Sequence, residues 1–123
     1  MLERTIQLFT DKEEEFVNLL VEIGTRKNIA KLLVYLANTK EATSRDMERG
    51  IDLRQPEVSI AVKELIHLGW IRDRKIPSEN KGRKIRKFSL SMPVNEIIAS
   101  IEKQKKSEAG NQLALVRKAR SFA

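Results

Sequence analysis

The chain has 123 residues, no cysteine, one histidine, and 24 Lys+Arg against 17 Asp+Glu, a formal net charge of +7. That length suits a single domain with one core. The missing cysteines exclude a disulfide framework, a thiolate nucleophile and a thiol redox sensor, and His67 alone leaves no His/Cys cluster for zinc, so neither a metal nor another cofactor is expected.

The start, Met1-Leu2-Glu3-Arg4, holds no long apolar run, and no stretch approaches the length of a membrane span. A soluble, cytoplasmic protein with no membrane partner is therefore expected.

Thr10-Asp11-Lys12-Glu13 has the spacing of a capping box, a hydroxyl followed three residues on by a carboxylate. Phe16, Leu19, Leu20 and Ile23 then recur at helical spacing, and Gly24 supplies a stop. A second helix is predicted over Lys27 to Asn38, with Ile29, Leu32, Leu33 and Leu36 as its apolar face. Either Thr43 or Ser44 can cap a third, short helix, which Gly50 and Asp52 end after about two turns. Met47 and Ile51 are its apolar contacts, and Leu53 anchors the turn that follows.

Gln55-Pro56-Glu57 opens a fourth helix, with proline in the first turn, where its missing N–H has no cost, and an acid behind it. Val58, Val62, Leu65 and Ile66 form its inward stripe, and Gly69 closes it. From Ile71 the period changes from near 3.6 to 2. Two short strands, separated by the turn-rich Pro77-Ser78-Glu79-Asn80-Lys81-Gly82 and resuming at Ile85, Phe88 and Leu90, predict a β-hairpin. Trp70 is expected in the core at the junction of helix and hairpin. Pro93 opens a last helix with Val94, Ile97, Ile98 and Ile101 along one face, and Gly110-Asn111 is expected to break it.

Charge is unevenly placed along this series. Residues 1–24 hold two bases and six acids, a net of −4; residues 71–90 hold eight bases and two acids, a net of +6. The positive excess thus falls on the predicted hairpin. A short helix, a tight turn and a longer helix with a polar outer face have helix-turn-helix geometry, in which the second helix enters the major groove of DNA and the first braces it against the backbone. A basic two-stranded wing directly after that second helix can lie along neighbouring phosphates or in the minor groove.

The segment Thr43-Ser44-Arg45-Asp46-Met47-Glu48-Arg49-Gly50-Ile51-Asp52-Leu53-Arg54-Gln55-Pro56-Glu57-Val58-Ser59, continued through Leu65 and Leu68-Gly69-Trp70-Ile71, resembles winged helix-turn-helix transcriptional regulators. It is most similar to archaeal regulators grouped with the ArsR, MarR and TrmB types. The return strand Gly82-Arg83-Lys84-Ile85-Arg86-Lys87-Phe88-Ser89-Leu90-Ser91 fits the same form, and the resemblance covers residues 27–91. It does not extend to the metal sensing of ArsR proteins, for want of cysteine.

The expected fold is mainly α with a small β-hairpin wing: a winged helix-turn-helix of three core helices and a two-stranded wing, with flanking N- and C-terminal helices. Residues 1–24 form the N-terminal helical segment, 25–91 the DNA-binding domain, and 92–123 a C-terminal helix for dimerisation with a basic tail. The expected function is a transcriptional regulator that binds double-stranded DNA sequence-specifically, and no catalytic residue is assigned.

On the recognition helix, Gln55 suits an adenine edge, Ser59 a phosphate or base, Lys63 a phosphate or guanine, and Ile60 a thymine methyl. Arg54 at the helix start suits a phosphate, as do Ser44 and Arg45 on the bracing helix. Lys81, Arg83, Lys84, Arg86 and Lys87 are the wing's phosphate candidates. Phe16, Leu20, Ile23, Ile97, Ile98 and Ile101 are the candidates for a homodimer interface, since a two-fold dimer reads two half-sites about one helical turn apart.

Two other uses of the fold make different demands on the sequence. A protein-contact winged helix in a transcription or replication assembly would carry an apolar or acidic recognition face, and an RNA-binding one would expose aromatic platforms; six aromatics, mostly in apolar patterns, supply few. No pattern in the sequence identifies a small-molecule effector.

Overall fold

The computed structural model describes residues 9–77, 82 and 84–123. Five helices and one hairpin follow in the order α1 (Asp11–Glu22), α2 (Lys27–Ala37), α3 (Ser44–Ile51), α4 (Gln55–His67), β1 (Ile71–Pro77), β2 (Lys84–Leu90) and α5 (Val94–Arg120). The chain divides into two compact units, Met1–Ser91 and Met92–Ala123.

Local sequence signals account for most element ends in the first unit. Thr10 and Glu13 form a reciprocal capping box at the start of α1: the Glu13 N–H donates to Thr10 Oγ1 at 3.1 Å, and the Thr10 N–H to Glu13 Oε1 at 2.8 Å. The same Glu13 carboxylate accepts from Asn38 Nδ2 at 2.8 Å, which ties the start of α1 to the end of α2. At α3, Thr43 rather than Ser44 is the cap, again in a reciprocal pair, with Asp46. The turn into α4 bends at Asp52, a non-glycine residue in the left-handed region at φ 56° that asparagine and aspartate tolerate best. After α4, Gly69 adopts φ 79°, and this conformation is what turns the chain into β1.

The core lies among α2, α3, α4 and the root of the hairpin. Leu32, Met47, Val58, Leu65 and Phe88 are almost wholly buried there, and no polar or charged side chain among the described residues is buried with them. Ala61 also faces inward, whereas Ile66, expected on that stripe, is only half-buried. Trp70 is likewise half-buried rather than a core residue. The two strands pair antiparallel, with Ile71 opposite Leu90, Asp73 opposite Phe88 and Arg74 opposite Lys87. Ala42, from the α2–α3 connection, bridges to Phe88 through two backbone hydrogen bonds of 3.0 and 2.8 Å, adding one residue of a third strand.

Gly50 has a packing role that its spacing in the sequence does not reveal. A Cβ at this position would lie 2.5 Å from the Tyr35 ring, so the absence of a side chain lets α3 approach α2 closely. Gly50→Val is therefore expected to destabilise the first unit by about 2 kcal/mol through overpacking, despite the better helix propensity of valine. Urea denaturation checks this, and an unchanged midpoint would show that the ring moves aside at no cost.

The second unit is a single helix of 27 residues, α5. Gly110-Asn111 does not break it, contrary to the sequence expectation. One interior glycine costs about 1 kcal/mol, and the good helix formers around it, Ala109, Gln112, Leu113, Ala114 and Leu115, offset that cost. Pro93 is its N-cap, and Ile97 and Ile101 are its buried positions.

Candidate nucleic-acid interface

Helix α4 buries Val58, Ala61, Val62 and Leu65, and this fixes what it presents outward. Pro56, Ile60, Lys63 and His67 recur at three- and four-residue spacing on the opposite side and are all exposed, Ile60 by 63%. Gln55 is exposed at the helix start, while Ser59 is half-buried on a flank. The outward face expected from sequence as Gln55, Ser59 and Lys63 is thus centred one position further round, on Ile60 and Lys63. His67, near the helix end, belongs to the same face.

The helix carries one lysine against two acids, Glu57 and Glu64, yet both acids are already engaged. Glu57 accepts from the Arg54 backbone N–H at 2.8 Å. Glu64 accepts from Arg26 Nη1 at 3.2 Å, at the start of α2. Both lie on the flank towards α2, beside a shallow groove of about 270 Å³ lined by Arg26, Lys27, Asn28 and Ile60. The outer face is left with Lys63 as its charge. Arg26 and Lys27 were missed from sequence, because only the folded chain brings the start of α2 beside α4.

On the bracing helix, Arg45 is exposed and Ser44 half-buried in the first turn, and Arg54 is exposed as the N-cap of α4. In the wing, Lys84 and Arg86 are exposed and Lys87 is half-buried. Lys81 and Arg83 lie outside the described residues, as does most of the hairpin loop.

Two ion pairs organise the wing. Arg86 Nε donates to Asp73 Oδ2 at 2.8 Å while its guanidinium carbon stands 5.0 Å from the centre of the Phe88 ring. Arg74 grips the Glu41 carboxylate with two N–H groups, Nε to Oε2 and Nη2 to Oε1, the latter at 2.8 Å. This fork joins β1 to the residue just before the Ala42 bridge. Cross-strand neighbours Arg74 and Lys87 would otherwise face each other as like charges, and Glu41 sits where it offsets both.

The Arg74 hydrogen bond holds the Glu41 carboxyl below its ordinary value near 4.5, with Arg74 and Lys87 charges adding to the effect. A depressed folded pKa means that the pair's contribution is complete above about pH 4.5 and is lost as pH falls through the lower folded value. The melting-temperature difference between the wild type and Glu41→Gln is expected to be constant near neutrality and to close on acidification below pH 4.5. A difference independent of pH would exclude a charged Glu41 brace.

Among the dimer candidates, Ile23 is 41% exposed, Phe16 and Ile98 are half-buried, and Leu20, Ile97 and Ile101 are buried. The largest exposed apolar side chains of α5 lie further along, at Leu113, Leu115 and Val116.

No protein-family model matches the sequence, and no curated protein matches it. Solved structures do. TrmBL2, described as an archaeal chromatin protein with a novel mode of DNA binding, superposes with a TM-score of 0.69 at 16% identity over 89% of this chain. A possible transcriptional regulator from Methanosarcina mazei Go1 gives 0.62 at 14% identity, with 92% of this chain and 93% of that one aligned. A MarR-family transcription regulator gives 0.54 at 17% identity over 92% of this chain and 83% of that one. The fold is a winged helix-turn-helix. The chain spans 40% of the length of TrmBL2 and 93% of the Methanosarcina protein. Among the described residues no helix is long and apolar enough to cross a membrane, and no group of His, Cys, Asp and Glu could hold a metal ion.

Proposed function

We propose that this winged helix binds double-stranded DNA sequence-specifically and regulates transcription, without enzymatic activity of its own. Helix α4 lies in the major groove, with Ile60 and Lys63 at the centre of the contact and Gln55 and Ser59 beside them. Ser44, Arg45 and Arg54 meet the phosphates on either side of the α3–α4 turn, and the basic hairpin follows the adjacent phosphates or minor groove.

The observation that carries this reading is the placement of charge. Six of the eight bases of residues 71–90, Arg72, Arg74, Lys75, Lys84, Arg86 and Lys87, stand on the strands of a hairpin joined to the end of α4 at Gly69 and pinned beside α3 through Ala42, while the acids of α4 are turned aside by Arg26 and the helix cap. The DNA binding described for TrmBL2 supports it. Exposed Ile60 suits protein contact equally well, and it also suits a thymine methyl.

Two copies reading two half-sites complete the proposal, with Ile23 and the exposed apolar positions of α5 contributing to the contact between them. Fluorescence anisotropy with duplex DNA tests the central claim. Affinity is expected to fall by orders of magnitude between about 50 and 200 mM salt, and binding that ignores salt would end it. Sedimentation equilibrium tests the dimer, which a monomeric mass would remove.

A further inference from the structure

Five of the wing's described cations fall into two groups. Arg72, Lys75 and Lys84 are exposed and form no ion pair among the described residues. Arg74 and Arg86 are each bound to a carboxylate, and both bonds converge on one place in the fold. Phe88 is that place: its backbone bridges Ala42, and its ring is buried under the Arg86 guanidinium. Asp73, directly opposite Phe88 on β1, holds Arg86 from the other side. Glu41, next to Ala42, holds Arg74.

Arg74 has two of its N–H groups, and Arg86 its Nε–H, already committed to a carboxylate, and Arg86 is also held over a ring. To turn those groups to a phosphate, either arginine would have to give up its carboxylate, exchanging one anion for another, and the displaced acid would remain beside the DNA. Such a cation adds little to the neutralisation of phosphates that drives counterion release. An exposed, unpaired cation adds its full charge.

We infer that Arg74 and Arg86 are positioning residues, which set the wing on the helical core through Glu41, Asp73 and Phe88, and that Arg72, Lys75 and Lys84 meet the phosphodiester backbone. The inference rests on the DNA-binding reading. It takes Arg86 out of the phosphate contacts expected from sequence and adds Arg72 and Lys75.

The two roles predict opposite signs for removal of the carboxylates. Binding of the full chain to a random-sequence duplex is measured across a salt series for Asp73→Asn and Glu41→Gln. Each is expected to weaken binding roughly two- to fivefold with an unchanged salt slope, even though each makes the protein more positive. Arg86→Lys, which keeps the charge but loses the planar fork, should behave in the same way. Arg72→Gln and Lys84→Gln should each lower the slope of log K against log salt by about 0.9.

Tighter binding with a steeper slope in Asp73→Asn would overturn the inference, because it would show Arg86 to be a phosphate ligand released from its carboxylate. A slope unchanged in the combined Arg72→Gln, Lys84→Gln variant would overturn it as well. That variant alters only exposed side chains, so its fold is not at risk. Salt-independent binding by the wild type would fail the DNA reading itself, a result distinct from wild-type binding with the slopes reversed.

Discussion

Phe88→Ala is expected to cost about 3–5 kcal/mol, the range for truncating a fully buried aromatic side chain. Domains of this size have total stabilities of about 5–15 kcal/mol, so the variant should melt roughly 15 °C or more below the wild type. Phe88 is 1% exposed, and its ring is, with Ile71, a buried apolar side chain of the wing, packed beneath Arg86 and across from Asp73. Truncation leaves the backbone bridge to Ala42 in place, so the loss belongs to the side chain. Ile85 on the same strand is 39% exposed and provides the control: Ile85→Ala should cost less than about 1 kcal/mol. Calorimetry on both variants decides the matter. A Phe88→Ala protein within 1 kcal/mol of wild type would mean that the wing root contributes little to the core.

Lys63→Glu is the substitution expected to cost most in binding. Lys63 carries the charge of the outer face of α4, and reversing it removes one contact while adding repulsion against phosphate. A loss of about 2–3 kcal/mol, roughly 30- to 150-fold in duplex affinity, is expected. Stability should stay within about 0.5 kcal/mol, because the side chain is exposed. Unchanged affinity in Lys63→Glu would exclude α4 as the element that enters the groove.

The elements that could be read from sequence are those whose signals are local. The Thr10–Glu13 box, the Thr43 cap, Gln55-Pro56 at the start of α4 and Gly69 at its end each act over four residues or fewer, and the structure realises all of them. Gly110 misled for the same reason. A glycine is a local stop signal, and its small cost was outweighed by neighbours on both sides.

What sequence could not give were the contacts between distant residues. The Tyr35–Gly50 approach, the Ala42–Phe88 bridge and the Arg74–Glu41 fork join positions that no periodicity relates. The candidate site shows the same division. The outward place of Lys63 followed from helical spacing, whereas the shift of the face from Ser59 towards Ile60 needed Ala61 to be seen inside. Charge counting found the wing, but could not tell which of its arginines the fold had already taken.

The bridge between Ala42 and Phe88 closes a loop of chain that contains α3, the turn at Asp52, all of α4 and β1. Releasing the wing root frees both ends of the helical pair, and loosening that pair pulls on the wing. Two backbone hydrogen bonds at one residue thus tie α4 and the hairpin together, and the two are expected to open as one cooperative unit. The Ala42 and Phe88 amides should therefore exchange with solvent together with those in the middle of α4, rather than at the faster rate of a fraying hairpin.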